Sequence, residues 1–225
     1  MRRARASKAL GETGVKQVPA YSIREFNPGD ESRWDSFVRD SADGTFYHLS
    51  WWRSLIENTL GHKTHYLYFE KRGEIEAILP LFHVKSFLFG NALTSVPFLV
   101  YGGPVASNND ALDRIVAAGR EWAVELGVDY LELRNQSGLA GDWETKQNYA
   151  TFRKRIDPDP EINLMAIPRK QRAMIRKGIK AGLKAEIDQD TDRLYSAMLT
   201  CKRNLGTPFF GHGWLRAIKE EFGDQ

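Results

Sequence analysis

Two neighbouring runs of sequence decide the fold class: HKTHYLYFEK at residues 62–71 and EIEAILPLFH at residues 74–83. Both have the length, the apolar content and the flanking turn signals that are typical of β-strands. They are separated by Arg72-Gly73 alone, and a two-residue linker that ends in glycine favours a tight hairpin. The two runs therefore predict an antiparallel β-hairpin.

Working outward, residues 111–126 place apolar side chains at helical spacing, Gly127 follows, and VDYLELR at residues 128–134 predicts a strand. A helix that ends at glycine and feeds a strand indicates a layered α/β fold. The same patterns predict strands at residues 21–26, 93–100 and 149–156, short helices at 31–39 and 50–60, and C-terminal helices at 190–204 and 212–222.

Charge is distributed unevenly along the 225 residues, which carry a formal net charge of +3. Residues 1–20 carry +4 and residues 168–185 carry +7 without one acid, so the rest of the chain is acidic, at −8. Residues 1–20 are small, polar and basic, which predicts a disordered tail. The second segment predicts a basic helix from Pro168 to about Lys184, with Ile175, Ile179 and Leu183 along one side. Such a helix favours a phosphate-bearing partner over a plain solvated surface, because like charges one turn apart repel.

Compartment and cofactor signals are sparse. Cys201 is the single cysteine, which favours a reducing compartment. The longest apolar stretch, residues 87–101, is too short for a membrane span, and no apolar segment follows the basic N-terminus. These features predict a cytoplasmic protein with no integral membrane segment. The five histidines lack the cysteine or carboxylate neighbours of a metal centre, so we expect no metal.

Several segments, in order, resemble the FemAB-like family of the GNAT superfamily. RKQRAMIRKGIKAGLKAE at residues 169–186 resembles its basic R-x-x-I-R-K-A-x-K-x-G-L-x-x-E motif, with Gly178 in place of the usual alanine. Residues 46–52, 74–81 and 101–105 are similar to its entry to the second helix, its A-x-L-P-L strand and its Gly-Gly-Pro loop. Residues 135–140 weakly resemble the acetyl-CoA pyrophosphate loop of GNAT acetyltransferases, with Asn135 at the first position.

The resemblance implies a GNAT-like mixed sheet flanked by helices over residues 21–156. Residues 157–225 would then hold the basic helix and the truncated start of a second GNAT-like domain. It further implies an acyl or aminoacyl transferase that moves an activated group to an amine of a cell-envelope precursor or a related acceptor, in peptidoglycan or exopolysaccharide metabolism. No cofactor is needed, and the co-substrate is acyl-CoA or aminoacyl-tRNA.

By the same resemblance, the acceptor cleft and the phosphate site fall on named residues. The side chains expected to line the cleft are Trp52 and Tyr101, and those expected to hold a phosphate of a nucleotide-linked acceptor, an acyl donor or tRNA are Arg172, Arg176, Lys177 and Lys180. No catalytic base stands out, since Asp129 and Glu132 lie on a predicted strand. Two alternatives remain open: an acyl-CoA-dependent N-acetyltransferase, and a non-catalytic module that uses the basic tail and helix to bind RNA, a membrane surface or another anion.

Overall fold

The computed structural model describes residues 21–87, 90–146 and 149–223. The chain divides into two compact units, Met1–Ser137 and Gly138–Gln225. The predicted disordered tail, residues 1–20, lies outside the described residues. The predicted boundary between residues 156 and 157, and the GNAT-like character of the two parts, stay predictions.

The described part of the first unit alternates helices with strands. Its elements are β1 (Tyr21–Glu25), α1 (Glu31–Asp40), a single 3-10 turn (Phe46–His48), α2 (Trp51–Leu60), β2 (Lys63–Lys71), β3 (Glu74–Ser86), β4 (Gly90–Ser95), β5 (Val105–Ala106), α3 (Asn109–Glu125) and β6 (Tyr130–Glu132).

One mixed sheet organises this unit, with strand order β1-β2-β3-β4-β6. All its neighbours are antiparallel except β4 and β6, which run parallel. The β2–β3 hairpin is confirmed, and both Arg72 and Gly73 have positive φ, as a tight two-residue turn requires. The short strand β5, which the sequence analysis did not predict, pairs with β3 at Ala77 and Ile78.

Helices cover both faces of the sheet, so the predicted mixed α/β fold is confirmed. Adjacent strand residues point to opposite faces. On one face Tyr66 stacks on Trp34 of α1, with ring centroids 5.0 Å apart. On the other face, the indole nitrogen of Trp122 in α3 lies 3.3 Å from Nδ1 of the neighbouring His65. The six residues 64–69 of β2 are accordingly all buried.

Within residues 138–146 and 149–223 the structure has four helices and no strand. They are α4 (Pro160–Met165), α5 (Arg169–Lys180), α6 (Asp192–Asn204) and α7 (His212–Phe222). The basic helix is therefore confirmed as α5, although it ends four residues earlier than predicted. Gly182 adopts a positive φ of 76°, and the Leu183 N–H donates to the Gly178 carbonyl, which closes the helix.

The predicted strand at residues 149–156 is wrong. Its apolar side chains, Tyr149, Phe152 and Ile156, are all strongly exposed, and no strand of the described chain pairs with it. A single extended segment leaves its backbone hydrogen bonds unmade, so apolar residues at strand-like spacing do not suffice to make a strand. Helix α4 was missed; Asp159 caps it by accepting from the Glu161 N–H, and Pro160 occupies its first turn.

No helix within the described residues has the length and apolar character needed to cross a membrane.

Candidate functional site

Three separate segments of the first unit meet where the parallel strands β4 and β6 end. They are the 45–48 turn, the 96–104 loop that follows β4, and Arg134 and Asn135, which follow β6. The Gly103 N–H donates to the Arg134 carbonyl at 3.2 Å. The Thr45 hydroxyl donates to the Tyr101 carbonyl at 3.2 Å. The structure thus brings together parts of three segments quoted above for their resemblances: residues 46–52, 101–105 and 135–140.

His48 joins the turn to the loop. Its Nδ1 lies 3.1 Å from the Thr45 N–H, so Nδ1 accepts, and its Nε2 then donates to the Gly103 carbonyl at 2.8 Å. The ring is 2% exposed. Burial lowers the pKa of His48, although the bonds to Gly103 and Thr45 and the charge of Asp43 act in the opposite direction. His48 is therefore a neutral residue that positions the loop.

The 96–104 loop carries unusual backbone strain. Val96, Phe98 and Tyr101 have φ values of 41°, 69° and 57°, in the left-handed region that side chains rarely adopt. The guanidinium of Arg134 donates to the Leu99 carbonyl at 2.8 Å and holds the middle of the loop. Strain of this kind costs about 1–3 kcal/mol per residue and concentrates at binding and catalytic sites. The loop is therefore the strongest candidate for a functional segment in this unit.

Two glycines allow the loop to pack closely. A Cβ on Gly102 would stand 2.5 Å from the Cβ of the buried Val96. A Cβ on Gly103 would stand 2.8 Å from the Asn135 Cγ and closer still to its Oδ1. That Oδ1 is buried and, in the described part of the chain, has no hydrogen-bond partner. The Gly102-Gly103 backbone therefore packs closely against Val96 and Asn135.

Trp52 and Tyr101, the residues expected to line the acceptor cleft, are both anchored to the 45–48 turn. The Trp52 side chain is buried, and its indole N–H donates to the Phe46 carbonyl at 3.1 Å. Tyr101 is half-buried and is held through its backbone carbonyl. The neighbouring Trp51 donates to the buried carboxylate of Asp35 at 3.2 Å. Contact of Trp52 and Tyr101 with an acceptor stays a prediction.

The four cations expected to hold phosphate all lie on α5 in the second unit. Arg176, Lys177 and Lys180 are exposed, while Arg172 is half-buried and donates to the Met165 carbonyl at 3.3 Å. Within the described residues no α5 cation forms an ion pair. The structure thus places the two predicted groups of site residues in different units, and their joint action stays a prediction.

The two carboxylates considered as bases have structural partners. Asp129 accepts from the Asn91 N–H at 2.9 Å, and Glu132 pairs with Arg134 at 2.8 Å. Among the described residues no cluster of three or more histidine, cysteine, aspartate or glutamate side chains could hold a metal ion.

Sequence reasoning missed a polar cluster and an open groove of about 650 Å³ in the second unit. His212 lies 2.9 Å from the Asp192 carboxylate and stacks on Tyr195 at 4.4 Å. In the groove, Asp188 pairs with Arg193 at 2.5 Å, which lowers the pKa of Asp188. No motif joins these residues, so only the fold reveals them. We assign them no ligand.

Comparisons with known proteins give distant structural similarities alone. No family model and no curated protein matches the sequence. A GNAT family acetyltransferase from Staphylococcus aureus subsp. aureus USA300_TCH1516 is similar with a TM-score of 0.40 and 14% identity, over 61% of this chain and 99% of that one. A transcriptional regulator from Bacillus halodurans C-125 is similar with a TM-score of 0.38 and 14% identity, over 76% of this chain and 97% of that one. Because these similarities are distant, the function proposed below is drawn from this chain's own residues.

Proposed function

We propose that the chain is a FemAB-like transferase that moves an activated acyl or aminoacyl group to an amine of a cell-envelope precursor. One observation carries the proposal: α5, whose sequence resembles the basic FemAB motif, presents exposed cations that no carboxylate of the described chain neutralises. The convergence of the 45–48 turn and the 96–104 loop, two further segments of that resemblance, supports it.

The proposed reaction is a direct attack of the acceptor amine on an ester or thioester carbonyl. A C–N bond forms, the C–O or C–S bond breaks, and the oxygen or sulfur leaves with the electron pair. The amine proton passes to a base or to water, and hydrogen-bond donors stabilise the oxyanion. The chemistry requires neither a redox partner nor a metal.

Helix α5 would bind the phosphates of one substrate. Arginine pairs with phosphate through two parallel N–H groups, whereas lysine acts as a point charge. Arg172, Arg176 and Lys180 lie within three turns of one helix, close enough for one pyrophosphate or a short stretch of RNA backbone. We therefore expect a nucleotide-linked acceptor or aminoacyl-tRNA at α5.

The test is the triple variant Arg172→Ala/Arg176→Ala/Lys180→Ala. We expect this variant to lose the rise in melting temperature that aminoacyl-tRNA or a nucleotide-linked precursor gives the wild-type chain. The control variant Lys63→Ala/Lys85→Ala/Arg203→Ala removes the same charge from exposed positions elsewhere and should keep that rise. Equal stabilisation of the triple variant and the wild type would refute the α5 site.

An acyl-CoA-dependent N-acetyltransferase is the second candidate. The observation that favours it is the position of Asn135, the first residue of the near-match to the pyrophosphate loop, against Gly103 in the strained site. No helix begins in residues 133–146, however, so the backbone N–H groups that hold an anion at a helix start are not arrayed there. Stabilisation by acyl-CoA alone, unaffected by the α5 substitutions, would favour this candidate. Stabilisation by RNA without any transfer activity would favour a non-catalytic RNA-binding module.

A further inference from the structure

Helix α5 has an exposed apolar arc beside its cations. At 100° per residue, Met174, Gly178, Ile175 and Ile179 occupy an arc of about 140°. Met174, Ile175 and Ile179 are 63%, 40% and 67% exposed, which is unusual for side chains on the apolar face of a helix.

Leu183 extends this arc beyond the last turn. Its N–H donates to the Gly178 carbonyl at 3.2 Å, and its Cδ1 lies 3.3 Å from where a Cβ on Gly178 would stand. The side chain therefore folds back along the helix, yet it is 75% exposed. Four apolar side chains thus form one continuous exposed surface, the α5 apolar surface (Met174, Ile175, Ile179 and Leu183).

The rest of the helix circumference holds the cations, with Ala173 among them. It carries Arg169, Lys170, Arg172, Arg176, Lys177 and Lys180, and Lys184 follows the helix. Helix α5 has no acidic residue, and in the described chain none of these cations forms an ion pair. An exposed apolar face bordered by unneutralised cations is the pattern of a helix that lies in the interface of an anionic bilayer.

We infer that α5 is a membrane-surface helix that docks the chain on an anionic lipid bilayer. The α5 apolar surface enters the boundary between headgroups and acyl chains, and the flanking cations contact lipid phosphates. The cations complement an anionic bilayer in charge. The α5 apolar surface is the observation that a phosphate ligand of the cations does not account for, because a phosphodiester backbone gives four aliphatic side chains no contact. The inference goes beyond the proposed transfer and does not depend on it.

Vesicle co-sedimentation tests the inference with the full chain. We expect binding to vesicles of phosphatidylcholine and phosphatidylglycerol, and little binding to phosphatidylcholine alone. Each cation near an anionic surface changes the partition coefficient about fivefold. Arg176→Ala/Lys177→Ala/Lys180→Ala should therefore weaken binding to the anionic vesicles on the order of 100-fold. Equal binding to both kinds of vesicle would overturn the inference.

The apolar surface needs its own variant. Ile175→Ser/Ile179→Ser keeps every charge and should abolish vesicle binding while it leaves binding of a soluble tRNA probe unchanged. The control Val124→Ser/Ile162→Ser removes two exposed aliphatic side chains outside α5 and should bind vesicles as the wild type does. Undiminished vesicle binding by the α5 variant would overturn the inference, as would a wild-type chain that binds tRNA but no vesicle.

Circular dichroism of each variant separates lost contact from lost folding. If Ile175→Ser/Ile179→Ser lowers the helical signal, the single variant Ile179→Gln replaces it, because this side chain is two-thirds exposed and glutamine retains helix propensity. Ile179→Gln should still reduce vesicle binding severalfold, and a wild-type affinity would refute the inference. Since no transfer is measured, failure of the proposed enzyme activity leaves this result interpretable.

Discussion

Gly103→Ala tests the central contact of the candidate site. The new methyl group would stand 2.8 Å from the Asn135 Cγ and 3.2 Å from its Cα, and closer still to Oδ1. Gly103 does not have a positive φ, so alanine meets no backbone penalty and the cost is steric. Overpacking of this kind costs about 1–3 kcal/mol, because side chain and backbone must shift together. We expect the free energy of unfolding to fall by that amount.

A double-mutant cycle attributes the cost to Asn135. Among the described residues the buried Asn135 Oδ1 has no hydrogen-bond partner to lose, so Asn135→Ala alone should change stability by less than about 0.5 kcal/mol. In Gly103→Ala/Asn135→Ala the Oδ1 and Cγ are gone, and the remaining neighbour given by the geometry is the Cα at 3.2 Å. Most of the lost stability should return, which corresponds to a coupling energy of about 1–2 kcal/mol.

Urea unfolding followed by tryptophan fluorescence is the assay, because Trp34 and Trp52 are buried in the same unit as Gly103. Gly138→Ala is the matched control, since nothing lies within 4 Å of its added methyl group and its φ is not positive. It should differ from the wild type by less than about 0.5 kcal/mol. Strict additivity in the cycle, or a Gly103→Ala variant as stable as the wild type, would refute the contact.

Three further outcomes follow from the first unit. Because the pKa of His48 is lowered on folding, the unfolded chain binds more protons than the folded chain below pH about 6.5, and stability falls as the pH drops. In urea unfolding at several pH values, His48→Gln should flatten this fall. An unchanged dependence of stability on pH would contradict a lowered His48 pKa. Tyr66→Phe removes a buried hydroxyl that has no hydrogen-bond partner among the residues the structure describes. It should leave the melting temperature unchanged or raise it, with a gain in stability of up to about 1 kcal/mol; a clear loss would mean that the hydroxyl is bonded. The Asn108 side chain accepts from the Ala111 N–H at 2.9 Å, so Asn108→Ala should cost about 1 kcal/mol in thermal unfolding and Asn108→Gly only a few tenths; equal losses would argue against the cap.

Local signals predicted the elements that local physics controls. Three features depend on residues that are adjacent in sequence: the Arg72-Gly73 turn, the end of α2 at Gly61, and the change from helix α3 to strand β6. These elements account for most of the mixed sheet and its helices. The basic helix was predictable for the same reason, because its composition and periodicity lie within one short segment.

Long-range contacts account for what sequence reasoning missed. The sequence predicts a strand through Val100, yet β4 ends at Ser95 because Val96 turns to positive φ, and Gly102 then packs against it. Likewise, no periodicity encodes the bond from His48 to a carbonyl 55 residues away. The sequence shows the Gly102-Gly103 pair, but it does not reveal that Val96 and Asn135 are the residues packed against it.

The same contacts decide what the candidate site can contribute to the proposed transfer. Both ring nitrogens of His48 are used by the protein, and burial keeps the ring neutral, so His48 is not the group that takes the proton from the attacking amine. Asp129 and Glu132 are likewise engaged with a backbone N–H and with Arg134. His48 and Arg134 therefore position the strained loop, and in the proposed transfer the amine proton passes to another base or to water. A direct attack by an amine tolerates this arrangement, because the approach of the two substrates alone can supply a large share of the rate enhancement.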